Sequence, residues 1–189
     1  MLKESDNPPV AWPEIGSIDD FEGRWWVLHT KSRNEKALAH DLVTKNIKYF
    51  LPMSWKVKKT SGRKIKSLLP LFTGYMFFCG DENERTEILR TNHVANILDV
   101  PNQRKLVSEL LQIEHAIKAG APLEPHSFVK EGALCRVIAG ALAGLEGVVI
   151  RCDNKSRLIL QIDILGQGAS IEIDSDMIEA VEKEDGRDS

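Results

Sequence analysis

No apolar stretch in the chain approaches the roughly 18 residues that a membrane-crossing helix needs. Its first 24 residues are acidic and contain proline, unlike a basic start followed by an apolar signal core. These absences lead to the expectation of a cytoplasmic protein with no membrane partner. Cysteine is scarce: Cys79, Cys135 and Cys152 are odd in number and form no Cys-x-x-Cys pair, so neither a disulfide frame nor a zinc site is suggested. They read as small core hydrophobes in a reducing compartment. The five histidines are dispersed, Glu114-His115 lacks a His-Glu-x-x-His frame, and there is no nucleophile elbow or P-loop. Gly140, Gly144 and Gly147 have the wrong spacing for a phosphate cradle and read as a tight strand connection. No catalytic residue, metal ligand or cofactor is expected, and an enzyme is disfavoured.

Aromatics are also few, twelve in 189 residues, yet four fall within Leu68 to Phe78. Apolar on nearly every position, that run predicts a buried strand needing cover on both faces. A hydrophobic content of 42% supplies enough apolar mass for a core, and the length allows one domain or two small ones.

Acidic residues are nearly missing from Arg24 to Lys66, where Glu35 and Asp41 face twelve basic residues. With 25 basic and 28 acidic residues in all, the remainder of the chain holds 13 basic against 26 acidic. A local excess of this size makes a positive field suited to a polyanion, nucleic-acid phosphate above all.

Residues 1–22 show no periodicity and are expected to form a mobile leader. Trp25 to Thr30 suits a buried strand, and Ser32 with Glu35 has the spacing of a capping box that starts a helix. Leu38, Ala39, Leu42 and Val43 give that helix an inner face, Asn46 ends it, and Arg33, Lys36 and His40 share the outer face. From Ile47 to Lys59 alternation predicts a strand, with Met53, Trp55 and Val57 opposite Ser54, Lys56 and Lys58. Thr60-Ser61-Gly62-Arg63 turns it into a return strand, Lys64 to Leu69. A short helix over Asp81–Arg90, a strand over Val94–Val100 and a helix over Gln103–Lys118 complete a mixed α/β layer. The last helix turns Leu106, Leu110, Ile113 and Ile117 inward.

A composition break at Ala119 to Pro125 marks a linker, placed at 120–127 between a domain over 23–119 and another over 128–181, with an acidic tail at 182–189. Beyond it, five short strands (Leu134–Ile138, Gly147–Cys152, Leu158–Leu165, Ala169–Ile173 and Met177–Val181) predict a small barrel, with Asp153-Asn154-Lys155-Ser156 as one turn. The fold class expected is α+β: a mixed α/β sandwich linked to a five-stranded barrel. The barrel segment is mildly acidic and so a poor general nucleic-acid binder.

The motifs resemble a known family. Trp25-Trp26-Val27-Leu28-His29-Thr30-Lys31-Ser32-Arg33-Asn34-Glu35-Lys36, then Phe50-Leu51-Pro52, then Pro70-Leu71-Phe72-Thr73-Gly74-Tyr75-Met76-Phe77-Phe78 are similar, in order, to the amino-terminal domain of NusG-like transcription factors. Val129 to Gly140, followed by Gly144-Leu145-Glu146-Gly147-Val148-Val149, resembles their KOW motif, so the barrel is expected to be SH3-like. The resemblance implies a non-enzymatic elongation factor, monomeric, whose first domain docks on the clamp helices of RNA polymerase. In the family that docking surface is apolar and aromatic, and maps here onto His29, Phe72, Tyr75 and Phe77. Lys31, Arg33, Lys36 and His40 map onto the contact with the non-template DNA strand. Leu165, Gly166 and Gln167 stand where ribosomal protein or termination factor is met, but without the usual aromatic and basic residues around the glycine. Phe72-Thr73-Gly74-Tyr75 replaces Phe-Pro-Gly-Tyr and Gly140-Ala141 replaces Gly-Pro. These departures tilt the expectation towards a specialised, operon-restricted antiterminator of the RfaH/UpxY kind. The alternatives are a housekeeping factor coupling transcription to termination or translation, and a KOW-type ribosome- or RNA-binding protein, which should carry positive charge on the barrel.

Overall fold

A computed structural model describes residues 7–14, 16–60, 62–152 and 155–181. Ser61, residues 153–154, the tail at 182–189 and the Cys152 side chain, on which some of the expectations above fall, lie outside the description. The first half runs β1 (Ala11–Trp12), β2 (Arg24–Thr30), α1 (Glu35–Thr44), β3 (Tyr49–Phe50), β4 (Met53–Thr60), β5 (Arg63–Pro70), β6 (Tyr75–Gly80), α2 (Glu82–Arg90), β7 (Val94–Leu98) and α3 (Gln103–Lys118). Five of these strands form an antiparallel sheet in the order β1-β3-β6-β2-β7, while β4 and β5 make a separate two-stranded hairpin.

Strand alternation sorts the sheet's side chains into two cores. Trp26, Leu28, Met76 and Phe78 pack with Leu38, Ala39 and Leu42 of α1 and Ile88 of α2. Trp25, Val27, Phe77 and Cys79 pack on the opposite face with Leu106, Leu110 and Ile113 of α3. Each helix lies where its apolar stripe can be buried, as the 3.6-residue spacing predicts.

Four local expectations need correction. Leu68–Phe78 is not one strand: β5 ends at Pro70, Leu71 to Gly74 turn, and β6 begins at Tyr75. Gly74 takes φ 83°, a left-handed conformation that glycine adopts without strain. The helix after β2 is capped by neither Ser32 nor a capping box; Asn34 stands at its N-cap without a side-chain bond. The Glu35 carboxylate is instead buried and accepts a hydrogen bond from the Gly74 amide at 2.6 Å. Residues 7–22, where a mobile leader was expected, contribute β1 paired to β3, and Ile18 and Phe21 lie in the core. Finally, the strand expected over 47–59 is split at Leu51-Pro52 into β3 and β4.

The second half holds β8 (Glu124–Ser127), β9 (Ala133–Val137), β10 (Glu146–Cys152), β11 (Lys155–Ile162), β12 (Gln167–Ile173) and β13 (Ile178–Ala180). All five expected strands occur. A sixth, β8, comes from within the stretch expected to be linker and pairs antiparallel with β12. The order β13-β9-β10-β11-β12-β8 has two unpaired ends, so among the described residues the pairing makes a six-stranded antiparallel sheet and closes no barrel. The chain as a whole is α+β, with all three α-helices in the first half of the described residues.

The halves share one core. Val137, Leu145, Leu158, Leu160 and Ile162 continue the cluster that contains α3 and Phe77. Polar contacts along α3 fix the docking: Gln112 Oε1 accepts from the Glu146 amide at 3.1 Å, His115 Nε2 lies 3.1 Å from the Ala141 carbonyl, and Lys105 pairs with Asp163.

Candidate interaction surfaces

Adjacent strands create the aromatic patch. His29 on β2 and Tyr75 on β6 are register partners, and their rings stack with centroids 4.9 Å apart, both half-buried. The turn before Tyr75 is held from three sides: the Thr30 amide donates to the Gly74 carbonyl at 2.8 Å, the Tyr75 amide to the Phe72 carbonyl at 3.0 Å, and the Gly74 amide to Glu35. A buried carboxylate bonded to a backbone amide ties the patch to the first turn of α1.

Phe72 and Phe77 do not share this surface. They are 1% and 0% exposed and meet edge-to-face at 6.4 Å inside the core. Of the four residues expected to dock, two face outward and two form the floor. Tyr75 and Phe77 lie on the same face of β6, yet Phe77 is a fully buried member of the core cluster while Tyr75 packs against it only in part.

The basic loop after β2 is shaped by its neighbours. Lys31 and Arg33 are exposed, and Arg33 has φ 61°. The Lys31 amide donates to the His93 carbonyl at 2.8 Å, and Lys31 Nζ donates to Asn92 Oδ1 at 2.5 Å. The His93 ring bridges Asn34 Oδ1 at 2.6 Å and Asp41 Oδ2 at 3.2 Å. His93 and Asn34 thus brace the loop, a role with no sequence signal because 59 residues separate them. Lys36 departs from expectation: its ammonium turns inward, donating to the Leu68 carbonyl at 2.5 Å and Asn7 Oδ1 at 2.6 Å. Burial pushes its pKa down, so it serves as a strut rather than an open phosphate contact. His40 is exposed on α1.

Leu165, Gly166 and Gln167 end a 3-10 turn and begin β12. Gly166 is left-handed at φ 59°, Leu165 is half-buried against the shared core, and Gln167 pairs with Ser127 of β8. The same turn presents Asp163 to α3, where its amide donates to Glu109 at 3.3 Å. Burial, reinforced by Asp163, pushes the Glu109 carboxyl up to about 7.

Comparison with known proteins gives two findings. Residues 23–114 match the family described as NusG, transcription termination factor nusG. Over 182 residues the chain is 24% identical to the transcription termination/antitermination protein NusG of Yersinia pestis, covering 93% of this chain and 98% of that protein. The matched 23–114 segment contains the aromatic patch and the basic loop.

Proposed function

We propose that this chain, which carries a NusG family domain over residues 23–114, is a non-enzymatic transcription elongation factor that binds RNA polymerase and suppresses pausing and termination. The half-buried His29–Tyr75 stack carries the reading, because it is an aromatic surface left open on a sheet in which Trp25, Trp26, Tyr49, Phe50, Phe77 and Phe78 are buried. Aromatic anchors suit such docking since they bury large area with little loss of rotamer freedom. The clamp helices of the polymerase are the proposed occupant, and Lys31 and Arg33 would lie beside the non-template strand. Phosphate contacts there make affinity salt-sensitive.

An operon-specialised role is favoured over a housekeeping one by the turn at 165–167. A partner reading those residues meets a half-buried leucine and a glutamine committed to β12 pairing, with no aromatic or basic group between them. Ribosomal protein or termination factor is accordingly a weaker fit. Purified protein is expected to be retained by core RNA polymerase and to increase read-through at pause and termination sites; no retention and unchanged read-through would overturn the proposal.

A further inference from the structure

The β4–β5 hairpin stands apart from both larger sheets, and its composition is one-sided. From Met53 to Pro70 there are six basic residues and no acidic one. Among the described residues no ion pair or side-chain hydrogen bond engages the ammonium groups of Lys56, Lys58, Lys59, Lys64 or Lys66. Lys59 and Lys64 are register partners, so two like charges sit directly opposite each other. Such pairs destabilise a hairpin unless something of opposite charge comes between them.

Apolar side chains occupy the same ribbon. Trp55 is 49% exposed and Val57 54%, and Ile65 and Leu69 are also open. The register places Trp55 across from Leu68, Val57 across from Lys66 and Lys59 across from Lys64, all on one face. Passing from base to tip, this face runs from an indole, through a mixed pair, to paired ammonium groups, in steps of about 7 Å. Lys36 joins the base to the basic loop, because its ammonium bonds the carbonyl of Leu68, the residue opposite Trp55.

We infer that this face binds single-stranded nucleic acid, with a base stacked on Trp55 and the backbone phosphates over Lys66, Lys64 and Lys59. Stacking is tolerant of sequence because every base offers a π-face, and paired lysines supply the salt-dependent part of the affinity. A duplex is a poorer fit, since its bases must be unstacked before an indole can reach them. An acidic protein surface would match the lysines but gives no specific use to an open indole beside them. The site shares no residue with the Lys31–Arg33 loop and requires no polymerase.

Anisotropy of a labelled, mixed-sequence single-stranded oligonucleotide with the full chain tests the inference. Trp55→Ala should weaken binding about 5- to 150-fold, the range for loss of one stacked base. Trp55→Phe should restore most of it, and binding should quench tryptophan emission in the wild type but not in Trp55→Phe. Lys64→Glu with Lys66→Glu should flatten the salt dependence. All three changes fall on exposed side chains, so unfolding midpoints should stay near wild type. Wild-type affinity in Trp55→Ala, or equal affinity for duplex with no dependence on Trp55, refutes the inference. If the variants instead lose polymerase retention at unchanged oligonucleotide affinity, the partner is a protein and the inference is wrong. Because no polymerase enters the binding assay, its failure leaves the proposed polymerase contact standing.

Discussion

Replacing Tyr75 and Phe77 separately by alanine divides binding from stability on a single strand. Phe77 is fully buried against the Phe50 and Phe72 rings, so Phe77→Ala opens a cavity and should cost about 3–5 kcal/mol. Against a total stability on the order of 5–15 kcal/mol this is a large fraction. With a urea slope of about 2–3 kcal/mol/M, the denaturation midpoint should fall by about 1–2.5 M. Tyr75 is half-buried and its main defined contact is the 4.9 Å stack on His29, worth about 0.5–1.5 kcal/mol. Tyr75→Ala should therefore shift the midpoint by less than about 1 M while weakening retention on core RNA polymerase by about 30-fold, the effect of losing a 2 kcal/mol anchor. Urea unfolding followed by tryptophan emission, with a polymerase titration of each folded variant, supplies both numbers. A folded Tyr75→Ala protein with wild-type polymerase affinity would refute the docking assignment. An unchanged midpoint for Phe77→Ala would refute the placement of Phe77 in the core.

One further outcome follows from the packing of the halves and another from packing within the second sheet. The folded-state pKa of Glu109 lies above its ordinary 4.5, at about 7, so its protonated form favours the docked arrangement. That contribution is complete below the ordinary value and is lost as the pH rises through about 7. Thermal midpoints should accordingly decline from pH 5 to pH 8 in the wild type, and Glu109→Gln should reduce the decline; an unchanged slope in the variant would count against Glu109. Gly147 on β10 leaves room for the backbone of β11, since an added Cβ would sit 2.5 Å from the Ile159 carbonyl oxygen. Gly147→Ala should destabilise the second sheet by about 1–3 kcal/mol, read as a lower unfolding midpoint; an unshifted midpoint would argue against that close approach.

Much of the fold was legible because its signals are local. The apolar run within Trp25–Thr30 and the helical spacing of Leu38, Ala39 and Leu42 or of Leu106, Leu110 and Ile113 report which side chains must be buried, and the structure buries them. Other features depend on distant partners. Ser32 and Glu35 have the spacing of a capping box, but the Gly74 amide, 39 residues away, takes the Glu35 carboxylate. Lys36 has the helical position of an outward charge, yet Asn7 and Leu68 draw its ammonium inward. Glu124–Ser127 reads as linker because of its proline, and it becomes an edge strand because β12 offers an unpaired backbone.

The sequence by itself determined that the chain concentrates positive charge between Arg24 and Lys66, lacks the frames of the catalytic and metal sites sought in it, and places Phe72, Tyr75, Phe77 and Phe78 around one glycine. Tertiary structure alone decided which of those aromatics meets solvent. Period-two alternation puts Tyr75 and Phe77 on the same face and cannot tell them apart. Packing over that face encloses Phe77 and leaves Tyr75 half-buried, stacked on His29. Likewise, composition shows lysines and Trp55 close in sequence, but only the cross-strand register brings Trp55, Lys66, Lys64 and Lys59 onto one uncovered ribbon. Exposure depends on what packs over a residue, and that is set by segments far away in the chain.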